Sequence, residues 1–116
     1  MKDFFQIIGT DDGLKITRHA SEWSQVAMST VRGEAYRHEG KSNQDRVATF
    51  EISMPFGRVS IDMVCDGLGG YADENGELAA QYCCEEAEKI LKWEEIQRWP
   101  SDDFSEQFFL KFQKKL

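Results

Sequence analysis

Two aspartates carry the clearest chemical signal in this chain. Asp66 follows an alternating apolar run, Val59-Ser60-Ile61-Asp62-Met63-Val64-Cys65, and precedes Gly67-Leu68-Gly69-Gly70. Asp45 stands just ahead of a second alternating run, Arg46-Val47-Ala48-Thr49-Phe50-Glu51-Ile52-Ser53. If the two runs pair as antiparallel neighbours, the start of the first and the end of the second share one edge of the sheet. The carboxylates then converge. Two carboxylates and a glycine carbonyl are hard oxygen ligands, suited to Mg²⁺ or Mn²⁺ rather than to zinc or copper. Glycine after Asp66 also lets another group approach the main chain closely. The competing local reading makes Asp45 a turn residue and Asp66 a helix cap.

The elements that must position these residues follow from hydrophobic period. The two runs form a β-hairpin, with Met54-Pro55-Phe56-Gly57 as a four-residue connection. Trp23 to Val31 reads as an earlier strand ending at Arg32-Gly33, and Glu34 to Asn43 as an exposed polar loop. Phe4, Phe5, Ile7 and Ile8 form a first strand or a docked lead-in, and Thr10-Asp11-Asp12-Gly13 a turn. After the glycines the period changes to that of a helix, from about Gly76 to Trp93, with an apolar stripe of Leu78, Ala79, Tyr82, Cys83, Ala87, Ile90 and Leu91. Trp99-Pro100-Ser101 breaks the chain, and Asp103 with Glu106 fits a capping box opening a second helix through Phe108, Phe109, Leu110 and Phe112.

Composition narrows the function classes. A chain of 116 residues holds one domain at most. Its 21 acids against 14 bases disfavour a nucleic-acid or anionic-membrane role, which would need a basic face. No apolar run is long enough to span a bilayer, and the start is too broken by Asp3 and Gln6 for a signal peptide, so a cytoplasmic location is the default expectation. Cys65, Cys83 and Cys84 give neither a disulfide framework nor a metal knuckle and read as small core residues.

In order and spacing, Ser42-Asn43-Gln44-Asp45, the hairpin, Val64-Cys65-Asp66-Gly67-Leu68-Gly69-Gly70 and Gly76-Glu77-Leu78-Ala79-Ala80 resemble the N-terminal half of a PPM-type (type 2C) metal-dependent serine/threonine protein phosphatase. Val31-Arg32-Gly33 resembles the opening strand and turn of the bacterial branch. The resemblance divides the chain into a lead-in (1–22), a motif-bearing core (23–92) and a second helix region (93–116). It implies an α+β fold, the N-terminal part of an α/β/β/α sandwich of antiparallel sheets flanked by helices. It further implies a site for two Mn²⁺ or Mg²⁺ ions, with Asp66 bridging them, the Gly67 carbonyl on one, and Asp45 at the first ion directly or through water. A metal-bridging water would attack the phosphorus of a phosphoserine or phosphothreonine in a protein substrate.

Some features depart from the family pattern. Where many members carry a phosphate-binding arginine this chain has Gly40, so that role falls to Arg37, His38 or Lys41. Gln44 replaces a glutamate of some relatives. The family's later half supplies further metal-binding aspartates, which Asp102 and Asp103 do not match. The crowded phenylalanines near Leu116 add to the expectation of a fragment whose partner is the missing C-terminal half. The alternative is a catalytically inactive phosphatase-like fragment, or pseudophosphatase, acting as a binding or regulatory module. A nucleotide-binding loop is disfavoured, because Gly67-Leu68-Gly69-Gly70 lacks the Lys-Ser/Thr of a P-loop.

Overall fold

The computed structural model describes residues 3–9, 16–67 and 76–116. The Thr10–Gly13 turn and the Leu68–Gly70 part of the glycine motif lie outside them. The fold is α+β. A three-stranded antiparallel sheet has the order β1 (Phe4–Ile8), β4 (Arg46–Met54), β5 (Gly57–Cys65). A separate two-stranded ribbon pairs β2 (Thr17–Ala20) with β3 (Gln25–Met28).

Hairpin β4–β5 forms because both strands alternate and Gly57 adopts φ +142°, a conformation that favours glycine. The connection is shorter than expected. Met54 already pairs with Gly57, leaving only Pro55 and Phe56 to turn. From there the register runs unbroken to Arg46 opposite Cys65.

One face of β4 presents Ala48, Phe50, Ile52 and Met54, all buried, to helix α2 (Gly76–Lys92). That helix buries Ala80, Cys84, Ala87, Ile90 and Leu91. Side chains such as Phe50 and Ile52 contribute roughly 1.5–3 kcal/mol each on full burial. Ile96, from a short 3₁₀ turn (Glu94–Arg98), extends the core. Phe104 and Phe108 of α3 (Phe104–Lys115) complete it.

Ala87, Ile90 and Leu91 of the expected stripe are buried, but toward the start of α2 the buried face turns away from it: Leu78 and Tyr82 are exposed, while Glu86, outside that stripe, is buried. The reason is size: Ala80, Cys84 and Ala87 let the helix approach the sheet, which large side chains would hold off. Tyr82 instead donates its hydroxyl to the Lys115 carbonyl at 2.9 Å, satisfying the open end of α3.

Four other expectations change. The strand from Trp23 is only Gln25–Met28. Within the polar stretch, Glu34–His38 forms a single short helix, α1. Thr17–Ala20 is a strand where none was expected. The Asp103 capping box does not form: Asp103 has helical angles after a 3₁₀ turn (Ser101–Asp103) and makes no side-chain cap bond. Phe109 and Leu110 remain exposed on α3. Among the described residues no helix is long and apolar enough to cross a membrane.

Candidate metal-binding site

The site is built outward from Arg46, the first residue of β4. Arg46 lies on the same strand face as Ala48, Phe50 and Ile52, and it is 1% exposed. A buried guanidinium is tolerated only when its donors are satisfied. Its Nη1 donates to the carbonyls of Gly9 (3.1 Å), Asn43 (2.9 Å) and Asp45 (2.9 Å). Nε donates to Gln81 Oε1 at 2.8 Å, and Nη2 to Glu77 Oε1 at 2.7 Å. One side chain thus ties the end of β1, the loop before β4 and the first turns of α2 together.

The Asn43–Asp45 loop is held a second way. Asn43 is buried; its Oδ1 accepts the Asp45 N–H at 3.1 Å, and its Nδ2 donates to Thr30 Oγ1 at 3.0 Å. This is the local turn that asparagine side chains favour. Gly9 passes beneath with φ +137°, and a side chain there would come within 2.6 Å of the Asp45 carbonyl oxygen. Glu77 also accepts a short hydrogen bond from Ser42 Oγ. That bond holds the Glu77 carboxyl below its usual range; burial opposes it, and the Arg46 hydrogen bond and charge reinforce it.

With its backbone fixed, Asp45 directs its carboxylate across the sheet edge. Asp45 Oδ1 accepts the Gly67 N–H at 3.2 Å. Arg46 pairs with Cys65, so Asp45 and Asp66 are the next residues past the ladder on adjacent strands. Their carboxyl groups meet. A hydrogen bond with the Asp45 carboxyl raises Asp66 above the usual aspartate range, helped by the Asp45 charge and by desolvation. The Asp45 backbone N–H closes the Asn43 turn, while its side chain reaches Gly67 across the sheet edge.

The residues proposed for substrate phosphate are placed differently. Arg37 and His38 are exposed in the last turn of α1. The Lys41 ammonium pairs with Glu39 at 2.8 Å, and the Lys41 carbonyl accepts from Arg32 Nη1. Asp102 and Asp103 are exposed at the start of α3. Among the described residues no group of three or more His, Cys, Asp or Glu side chains could hold a metal. The candidate donors are two carboxylates and the Gly67 main chain, hard oxygen groups of the kind that suits Mg²⁺ or Mn²⁺. A like-charged pair that raises one member's pKa is an arrangement a cation would relieve.

Sequence reasoning missed Arg46, Gly9 and Glu77. The signal for Arg46 was present, since it shares one face of the alternating run with the apolar Ala48, Phe50 and Ile52.

Comparisons with protein-family profiles, with curated proteins and with solved structures found no match to this chain.

Proposed function

We propose that this chain carries the N-terminal half of a PPM-type phosphatase site. Asp45, Asp66 and the Gly67 carbonyl would hold Mn²⁺ or Mg²⁺, with further carboxylates coming from beyond the described residues. The observation that carries this reading is the meeting of the Asp45 and Asp66 carboxyls at one end of an antiparallel hairpin. The order of motifs around them and the α+β architecture agree with the N-terminal part of an α/β/β/α sandwich. Bound there, divalent ions would supply an activated water and neutralise charge on the phosphoryl group of a phosphoserine or phosphothreonine protein. Arg46 fixes the main chain under Asp45, and Asn43 fixes the Asp45 N–H, so the carboxylate is held before any ligand arrives. A cytoplasmic setting belongs to the same reading.

The test is metal-dependent hydrolysis of p-nitrophenyl phosphate and a phosphothreonine peptide, by this chain and by a chain extended downstream. Activity that needs Mn²⁺ and disappears in Asp66→Asn supports the proposal. Activity undiminished in that variant contradicts it. The second reading, a non-catalytic binding module, draws on the two-carboxylate count among the described residues and on the exposed Phe109 and Leu110 of α3. It predicts no hydrolysis by either chain.

A further inference from the structure

Directly behind Asp66, three thiols come together, and they play no part in the proposed phosphatase chemistry. Cys65 is the last residue of β5, while Cys83 and Cys84 lie in α2. The Cys84 thiol donates to Cys65 Sγ at 3.4 Å. Successive residues on a helix point about 100° apart, so the two α2 cysteines occupy different surroundings. Cys84 is fully buried in the core; Cys83 is half-buried. A cavity of about 330 Å³, lined in part by Met63, Cys65, Asp66, Cys83 and Phe112, opens onto the Cys65 side. One sulfur of the touching pair therefore faces an opening and the other is locked in the core.

We infer that Cys65 and Cys84 form a reversible intramolecular disulfide, which makes the base of the two-aspartate edge a thiol-oxidation site. The sulfurs are in contact, and a disulfide needs them at about 2.05 Å, so side-chain rotation with a small approach of β5 to α2 closes the bond. Burial pushes the Cys84 thiol far up, with the Cys65 contact adding to it; burial and Cys65 also push Cys83 up. Direct attack by the buried Cys84 is therefore slow, and oxidation begins at Cys65, whose side faces the cavity.

The co-reactant is a low-molecular-weight disulfide of the glutathione type. The Cys65 sulfur displaces one glutathione, forming a mixed disulfide and giving up its proton to the departing thiol. The Cys84 sulfur then displaces the second in the same way. Two protein thiols lose two hydrogens and two electrons, and one glutathione disulfide becomes two glutathione thiols. The resulting bond ties the residue before Asp66 to the helix that also holds Arg46 through Glu77 and Gln81. The inference stands independently of the phosphatase reading.

The experiment treats the full chain with oxidised glutathione, alkylates the remaining thiols and maps peptides by mass spectrometry without reduction. The expected product joins Cys65 to Cys84 and leaves Cys83 alkylated. It forms equally in Cys83→Ala and is lost in Cys65→Ala, a substitution at a half-buried position. Oxidation should also raise the unfolding midpoint by on the order of 10 °C, reversibly with a thiol reductant, because the bond constrains the unfolded chain. A Cys65–Cys83 link, a glutathione adduct that never resolves, a disulfide between two chains, or no reaction would each overturn the inference.

Discussion

Two charged regions adjoin where β4 begins, and the fold treats them in opposite ways. Arg46 is surrounded: five acceptors, among them the opposite charge of Glu77, meet its guanidinium. Farther along the strand Glu51, 3% exposed on the other face, is matched similarly. It pairs with Arg58 at 3.1 Å and with His19 at 3.3 Å. Asp45 and Asp66, by contrast, are two groups of like sign placed against each other. Charges that hold a fold are compensated within it. A like-charged pair held in place by a compensated neighbour is a cost to the fold, the arrangement that the proposed cation would relieve.

The largest effect that would break this comparison comes from Arg46→Ala. Removing the guanidinium strands three carbonyls and the Glu77 carboxylate. Because Glu77 is about one-third exposed, the loss should fall at the low end of the range for broken buried pairs, about 3 kcal/mol. Urea denaturation measures it. A loss below about 1 kcal/mol would mean that Arg46 does not organise the edge.

Glu51→Gln tests the other compensated charge and should cost about 1–2 kcal/mol at neutral pH. Burial alone would raise the Glu51 carboxyl, but hydrogen bonds from Ser21 and Arg58 and the charges of Arg58 and His19 outweigh it and hold it below the ordinary 4.5. The native state thus binds this proton less well than the unfolded chain. Its contribution is complete above about pH 4.5 and is lost as pH falls through the lowered value. Thermal unfolding across that range should show a shallower acid limb in Glu51→Gln. The limb should not vanish, because Glu77 is lowered too. Asp66 carries the opposite sign. Its raised value makes a contribution that is present below the ordinary 3.8 and is lost as pH rises through the folded value. Asp66→Asn should therefore leave stability at neutral pH unchanged or slightly higher.

The hairpin was legible because period-two alternation is strong in both runs, and antiparallel pairing then placed Asp45 beside Asp66 by topology alone. What was not legible depended on tertiary neighbours. Thr17–Ala20 has too few apolar residues to announce a strand; it pairs with β3, and its His19 ring stacks on Phe4 at 3.6 Å. The face of α2 was read correctly at Ala87, Ile90 and Leu91 and misjudged in its first turns, because hydrophobicity favours Leu78 and Tyr82, whereas close packing on the sheet selects the small Ala80 and Cys84. Gly9 could not be singled out before its distance to Asp45 was known. Arg46 could have been: polar groups on a core face demand an account of their partners.

The most direct test of the central claim is a titration of this chain with Mn²⁺, followed by paramagnetic broadening of its backbone amide resonances, in the parent and in Asp66→Asn. The account predicts broadening that begins at Asp45, Asp66 and Gly67 in the parent and is lost from that edge in the variant, whose fold is retained. Broadening that is absent there, or that is the same in both proteins, would contradict it.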